Sequence, residues 1–407
     1  MDSGYFQNRP ELTFFADLMA LSFFIGLAIS FYTYLGYPII LGLLVKLKRL
    51  SGTTPPIQYQ WEEMPEITLI VACFNEADIL KEKIENTLQL DYPIDKVSYL
   101  FVTDGSTDNS QEIITQYPEI ELFHEPERRG KNAAVNRVMN YVKTPITIYC
   151  DANTLLSKKS LQYIAMHYRD ERVGAVAGEK RVKLEEEGNA AGSGESTYWK
   201  YESKLKQWDS ELNTVVGAAG ELFSIRTELY EEVPKGVLIE DFRLSMNIAK
   251  KGYKVVYEPE AYAVETASES IEEESKRKVR ISAGGLIEIW HFIPLLNFFK
   301  YGLLSFQYVS HRMLRWTLAP LSLVVILISN IFLALSNHPI FTIVLLLQLL
   351  FYALAYVGYL LRSKNITIKI AFIPYYFVFM NLSVFQGLVR LIRGKQSVVW
   401  EKAKRAK

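Results

Sequence analysis

Two stretches of this chain, residues 18–45 and 316–361, contain no Asp, Glu, Lys or Arg. About 20 apolar residues in a helix cross a bilayer core, so the first run is long enough for one tilted span and the second for two. A third uncharged run, 370–389, is interrupted by Pro374. Helices of soluble cores seldom run this far without a charge on an outer face, and membrane segments are therefore the expectation. A cleaved leader does not fit the first run. It is too long, no basic stretch precedes it, and no small-residue cleavage site appears before Lys46.

Basic residues orient these segments. Lys46, Lys48 and Arg49 follow the first run while only Arg9 precedes it, which places the N-terminus outside and the long middle segment in the cytosol. Residues 336–340 lack Lys and Arg, as an outside loop should, and Arg362, Lys364 and Lys369 mark a return to the cytosol. The tail, from Arg390 and Arg393 to Lys407, is basic too, yet a third crossing by 370–389 would export it. Two readings stay open: the stretch breaks at Pro374 and lies re-entrant or interfacial, or the charge rule fails here. Residues 286–315 mix aromatic and apolar side chains with Glu288, Lys300 and Arg312, which reads as helices lying in the membrane interface.

Length and composition narrow the function. A chain of 407 residues holds two or three folding units. Its 45 basic residues equal its 45 acidic ones, which argues against nucleic acid as a partner. Two cysteines and five histidines exclude a disulfide scaffold and a Cys/His zinc cluster. Cys73 and Cys150 sit in apolar runs and read as buried thiols of a reducing compartment. A transporter or channel would carry ionisable residues within its spans, and these spans have none.

Between the membrane segments, short β-branched runs alternate with amphipathic ones. Residues 67–72, 97–103, 120–124, 146–150 and 173–178 read as strands, and 76–90, 108–117 and 131–142 as helices. Such alternation predicts an α/β fold with a mostly parallel sheet and helices on both faces. The resulting organisation is an N-terminal membrane helix (1–50), a Pro-containing linker (51–65), the α/β domain (66–285), interfacial helices (286–315), C-terminal membrane helices (316–392) and a basic cytosolic tail (393–407).

Ligands of such sheets bind at the carboxyl ends of the strands. Here the first strand ends in Cys73-Phe74-Asn75-Glu76, the second in Asp104-Gly105-Ser106-Thr107-Asp108 and the fourth in Asp151-Ala152-Asn153. Singly, Ser106 or Asp108 is an ordinary helix cap. Converging on one sheet edge, these groups suit hydrogen bonding to a base and ribose, and Asp-x-Asn offers hard oxygen ligands to a divalent cation holding a diphosphate. Gly130-Lys131 at a helix start adds a cation and a positive dipole end.

Six ordered segments, ACFNE (72–76), VTDGSTDNS (102–110), GKNAAVN (130–136), YCDAN (149–153), GAAGELFSIR (217–226) and IEDFRLSMNIAKKGYKVVYEPEA (239–261), resemble family 2 glycosyltransferases. The resemblance is greatest to the membrane-embedded subgroup of cellulose-synthase-like and poly-N-acetylglucosamine-synthase-like enzymes. It implies a GT-A fold, a nucleotide-sugar donor (a UDP-sugar first), inverting transfer, and a multi-pass protein of the plasma membrane with its catalytic domain cytosolic. Ala72, Asn75, Glu76 and Asp104 would then hold the nucleoside, with Lys131 and Arg280 near the diphosphate. Asp151 and Asn153 would bind Mg²⁺ or Mn²⁺, the Asn in place of a second Asp lowering metal affinity. Gly220 and Glu221 would face the acceptor, and within the pair Glu240-Asp241 the Asp would be the general base.

One departure stands out. Processive members carry Gln-x-x-Arg-Trp where this chain has Arg277, Arg280 and Ile281. Loss of the Trp argues for one or a few additions to a lipid-linked or glycan acceptor in envelope or exopolysaccharide synthesis, unless Trp199, Trp208 or Trp290 takes over the stacking. A polyprenyl-phosphate sugar transferase and a processive synthase remain the enzymatic alternatives. A catalytically dead scaffold would have lost the charged residues Asp104, Lys131, Asp151 and Asp241, all present here.

Overall fold

A computed structural model describes residues 10–52, 63–183, 190–266, 270–336, 338–364, 366 and 368–394. Most of the expected linker and tail lie outside the described residues. Helices α1 (Pro10–Phe31) and α2 (Tyr37–Leu50) form one rod through a π-turn at Tyr32–Gly36. Next come β1 (Ile67–Cys73), α3 (Ala77–Leu88), β2 (Val97–Asp104), α4 (Ser110–Ile114), β3 (Ile120–Glu125), α5 (Lys131–Met139) and β4 (Ile146–Asp151). After β5 (Thr154–Leu156) and α6 (Ser160–His167) the chain forms β6 (Val173–Lys183), α7 (Ala190–Leu212), β7 (Leu222–Arg226), α8 (Glu240–Lys250) and β8 (Lys254–Thr266). The helical remainder is α9 (Ile271–His291), the short α10 (Phe298–Tyr301), α11 (Leu303–Tyr308) and α12 (Leu314–Trp316), then α13 (Leu318–Leu335), α14 (Pro339–Arg362) and α15 (Lys369–Ile392).

The strands make one sheet in the order β3-β2-β1-β4-β7-β6-β8-β5. β1 pairs in parallel with β2 and β4, β2 with β3, and β6 with β8, whereas β7 runs antiparallel between β4 and β6. Every residue of β1 is buried, because separate apolar cores cover the two sheet faces, one under α5 and α8 and the other under α3 and α6. Register brings the motifs together: Ala72 stands opposite Val102 on one side and Asp151 on the other. The expected strands are all present. Strands β5, β7 and β8 were not anticipated. β8 alternates between buried and part-exposed positions, and β7 is only Leu222–Arg226, too short for its period to stand out.

The uncharged run 18–45 serves two environments. Tyr37, Leu41 and Val45 repeat every fourth residue along α2 and are buried against Leu205 of α7. Lys48 donates to the carbonyls of Glu211 and Leu212, and Arg49 binds the Glu211 carboxylate at 2.6 Å. So α2 is a brace on the α/β domain, while α1 packs on α13 through Gly26, whose Cβ would lie 2.9 Å from Ile326.

One expected boundary lies within a helix, and one of the two open readings of the last apolar stretch meets an unbroken helix. The domain limit at 285 falls inside α9, which starts at a Ser270 cap and runs to His291 across Gly284-Gly285, where Leu238 and Trp316 pack so closely that a Cβ would meet them at 3.0 and 2.6 Å. Nor does Pro374 break the last apolar stretch: α15 runs unbroken across it. Close packing supports α15 there, since Gly358 of α14 lets the Ala371 carbonyl approach to where a Cβ would be only 2.3 Å away. α15 runs beside α9, with the Tyr376 hydroxyl on Glu274 at 3.3 Å near one end and Gly387 against Ser282 and Ala283 near the other. The rod from Phe14, α13, α14 and α15 are each long and apolar enough to cross a membrane.

Candidate active site

The loops after β1 and β2 are stitched together. Asn75, the one non-glycine residue of positive φ (53°) among those described, sits where Asn tolerates the left-handed region best. Its Oδ1 accepts the Thr107 N–H at 2.8 Å, the Ser106 hydroxyl accepts the Asn75 N–H at 3.2 Å, and Asp108 Oδ2 accepts the Ala77 N–H at 3.0 Å. Asp108 thereby caps α3 from a neighbouring loop, and Asn75 braces the turn instead of lining the main cleft. Asp104 Oδ2 accepts the N–H groups of Arg129 (2.9 Å) and Gly130 (2.6 Å). Its buried Oδ1 has no hydrogen-bond partner among the described residues and only a 4.0 Å approach from Arg137. Ala72, Phe74, Val102 and Arg128 line a narrow slot beside it, with the Arg128 guanidinium 3.7 Å from the Phe74 ring centre.

Next to this slot opens a cleft of about 1050 Å³ lined by Glu76, Lys131, Asp151, Asn153, Gly220, Glu221, Glu240, Asp241 and Arg280. Lys131 is its pivot: Nζ lies 2.6 Å from Asp151 Oδ1 and 2.7 Å from Glu240 Oε1, tying the end of β4 to the start of α8. Burial opposes the Lys131 charge, but the two carboxylates outweigh it and hold the ammonium well above its usual range. Burial likewise works against Glu240, and Lys131 overcomes it, keeping that carboxylate below its usual value. Asp241 has no such partner. Burial, followed by the charges of Glu240 and Glu221, pushes it up to about 7. Gly220 leaves the Asp241 face uncovered, since even a Cβ there would stand 3.6 Å from the carboxylate.

A second cluster borders the cleft, and no local motif announced its members Lys180 and Glu265. Lys180 of β6 binds Glu221 at 2.7 Å and also Glu265 of β8, and Arg277 reaches Glu221 (3.1 Å) and Glu265 (3.4 Å). Asn153 Nδ2 donates to Glu265 at 3.3 Å. Arg277 thus holds Glu221 in place. Of the three tryptophans proposed to replace the missing one, only Trp199 lines the cleft; Trp208 packs on Gly42 of the rod and Trp290 is 79% exposed. The stacking candidate that sequence reasoning missed is Trp316, which lines the cleft over Gly285 and lies 5.4 Å from Phe242.

Backbone shape matters around Asp241. Gly217 has φ +87°, and a Cβ there would fall 2.3 Å from the Phe242 ring. Gly217→Ala is expected to cost roughly 2–6 kcal/mol, the sum of a left-handed non-glycine and local overpacking. The thermal midpoint of the solubilised protein measures this, and an unchanged midpoint would show that the loop relaxes freely.

With this geometry in view, comparison with known proteins is direct. Residues 68–233 match Glycosyl transferase family 2. They are a family 2 glycosyltransferase domain. A poly-beta-1,6-N-acetyl-D-glucosamine synthase of Staphylococcus aureus (strain MSSA476) is 26% identical over 250 residues, 59% of this chain and 58% of the relative. The alignment therefore spans less than two thirds of that relative's length. The corresponding synthase of Staphylococcus epidermidis is 23% identical over 285 residues, 66% of this chain and 68% of its own. In fold, the chain is similar to a mannosyltransferase from Pyrobaculum calidifontis solved with GDP-Man and Mn²⁺, at a TM-score of 0.68 and 22% identity over 92% of this chain and 100% of that one. The family domain thus carries the GT-A fold expected from its motifs.

The donor set fits a hard divalent cation. Asp151 offers a carboxylate and Asn153 an amide oxygen, and no group of three or more acidic, His or Cys side chains is assembled for a metal among the described residues. Such a set suits an ion whose remaining ligands are substrate phosphates and water.

Proposed function

We propose that the protein is a membrane-bound inverting glycosyltransferase that moves a sugar from a nucleotide-sugar donor to a lipid-linked or glycan acceptor. The observation that carries this reading is the place of Asp241: a half-buried carboxylate on the wall of a large cleft, beside the Lys131–Asp151–Glu240 bridge, whose surroundings push its titration up to about 7. A base matched to the working pH is what deprotonation of an acceptor hydroxyl needs. Asp241 accepts that proton as the hydroxyl oxygen attacks the anomeric carbon from the face opposite the nucleotide. Asp104 and the slot beside it hold the nucleoside, and Lys131 and Arg280 lie along the diphosphate. Asp151 and Asn153 would hold Mg²⁺ or Mn²⁺, which when bound would supply neutralising charge to the departing nucleoside diphosphate. Glu240 keeps Lys131 in place and, by its own charge, keeps Asp241 basic.

We further infer that α15 lies along the membrane surface beside α9. Its first turns neighbour Arg362, whose guanidinium is 2.7 Å from Glu274 of α9, and Arg390 near its far end lines the catalytic cleft. With both ends on the catalytic side, Arg390 and Arg393 would share a face with the catalytic domain, as the distribution of basic residues asks. Trp290, Phe298 and Phe299 are exposed around α10, as in helices that dip into an interface.

The experiment is a donor-hydrolysis and transfer screen across UDP- and GDP-sugars with purified protein, with mass analysis of the product. Turnover of no nucleotide sugar would overturn the proposal. Product size decides chain growth. Ile281 in place of Trp favours one or a few additions, and products of that size are expected from a single donor sugar in reconstituted membranes. Trp199 and Trp316 in the cleft support the second reading, polymerisation. Long ladders at enzyme far below acceptor would establish it.

A further inference from the structure

A loop as well as a helix fixes the place of Asp241. Residues 216–220, between α7 and β7, wrap the first turns of α8. Gly217, at φ +87°, seats the Phe242 ring, and the Ala218 N–H donates to Ser245 Oγ at 3.0 Å. A Cβ at Gly220 would stand 3.6 Å from the Asp241 carboxylate. Ser245 passes the contact on, since its hydroxyl donates to the Asp241 backbone carbonyl at 2.7 Å. One hydroxyl therefore joins the loop to the turn that carries the carboxylate, and Ser245 is fully buried.

The start of this loop is clamped by Arg312. Its Nε donates to the Val216 carbonyl at 3.0 Å while Nη2 lies 2.6 Å from Glu202 of α7, so one planar guanidinium fork spans the two. The guanidinium is also 5.8 Å from the centre of the Trp316 ring, which lies 5.4 Å from Phe242. A buried relay holds Arg312 in turn. Glu202 also takes Arg315 at 2.9 Å and His311 at 3.2 Å. The other ring nitrogen of His311 faces Asp209, which accepts the Tyr37 hydroxyl of α2 and the Gln307 amide at 3.0 Å. Glu202, Asp209, His311, Tyr37 and Gln307 are 0–2% exposed, and a buried polar network whose members are partnered is rigid and specifies one arrangement. His311 and Arg312, consecutive in the π-turn Val309–Met313, reach the same carboxylate, and local widening of this kind is frequent at functional sites.

We propose that Arg312 is a positioning residue for Asp241: through the Val216 carbonyl, the Ala218 N–H and Ser245 it fixes the carboxylate where the acceptor hydroxyl must meet it. The role rests on the reading of Asp241 as the base, whereas the clamp stands on its own contacts. A displacement of about 1 Å at a reacting group can cost about 10²-fold in rate. The test uses the full chain in detergent with Arg312→Lys, Ser245→Ala and the two together. Arg312→Lys keeps a cation for Glu202 and gives up the fork that reaches Val216; Ser245→Ala removes only a hydroxyl. Each single variant should lower kcat by about tenfold or more with donor KM within a few-fold. The double variant should lose little more than the larger single, because both cut one path. Deuterium exchange of the backbone over 214–222 should quicken by about tenfold or more in each. A merely structural Arg312 would lower the thermal midpoint and leave kcat per folded molecule unchanged. Unchanged kcat in either single variant would overturn the positioning role, and so would losses that multiply in the double variant, as they would if Arg312 bound the acceptor directly. Should the wild type turn over no nucleotide sugar, the transfer reading fails by itself and exchange decides the clamp: unaltered exchange in both variants would overturn it.

Discussion

Asp241→Asn is expected to lower transfer by about 10²–10⁴-fold, the usual contribution of a positioned general base, while donor affinity stays within a few-fold. The asymmetry follows from timing: the carboxylate takes the acceptor proton as the new bond forms, so its loss is felt in the transition state and little in the ground state. The wild-type pH profile makes the same point. Asp241 acts only when ionised, and burial together with Glu240 and Glu221 lifts it to about 7, so kcat/KM should fall below about pH 7, tenfold per pH unit at the acid end. Glu240→Gln removes one of the charges that raise Asp241 and should move this limb to lower pH. Near-normal turnover by Asp241→Asn, or an acid limb that persists unchanged in a residually active variant, would remove Asp241 from the role of base.

Chelation is expected to abolish activity, with Mg²⁺ or Mn²⁺ restoring it, and Asp151→Ala should cost about 10²–10³-fold even at saturating metal. Several kcal/mol of charge stabilisation on the departing diphosphate are at stake, and each 1.36 kcal/mol is tenfold. Asp151 is the one carboxylate of the Asp-x-Asn pair, and Lys131 rests on the same oxygen at 2.6 Å, so its loss also frees that ammonium to settle on Glu240 alone. Asn153→Asp adds a charge beside Asp151 and should tighten Mn²⁺ in a calorimetric titration with nucleoside diphosphate present. Full activity in excess chelator would reassign Asp151 to hydrogen bonding; weaker Mn²⁺ binding by Asn153→Asp would count against the ligand role of that position.

Much of the cleft's strand-end side was legible along the chain because it follows strand ends. β1, β2 and β4 lie in parallel, so Ala72, Asp104 and Asp151, each at or near a strand's end, arrive at one edge by register alone. The Glu240-Asp241 pair could be named from its motif, but nothing in a dipeptide distinguishes its members. Lys131 does that in space, pairing with Glu240 and leaving Asp241 to be raised. Asn75 adds a part the motif alone does not show: its positive φ and its bond to the Thr107 N–H brace the loop after β1.

The sequence by itself determined the apolar runs, the alternation of strand and helix, and the residues at the strand ends, because each depends on local period or composition. Only the tertiary structure decided what depends on contacts between distant residues. It made α2 a brace, since Tyr37, Leu41 and Val45 find Leu205 some 160 residues on. It carried α15 unbroken across Pro374 along α9, since Gly358 and Gly387 permit close backbone approach. And it gathered Lys180, Lys206 and Lys278 around Trp199. Each of those lysines reads as an ordinary solvated side chain in the sequence; contacts between distant residues are what bury them.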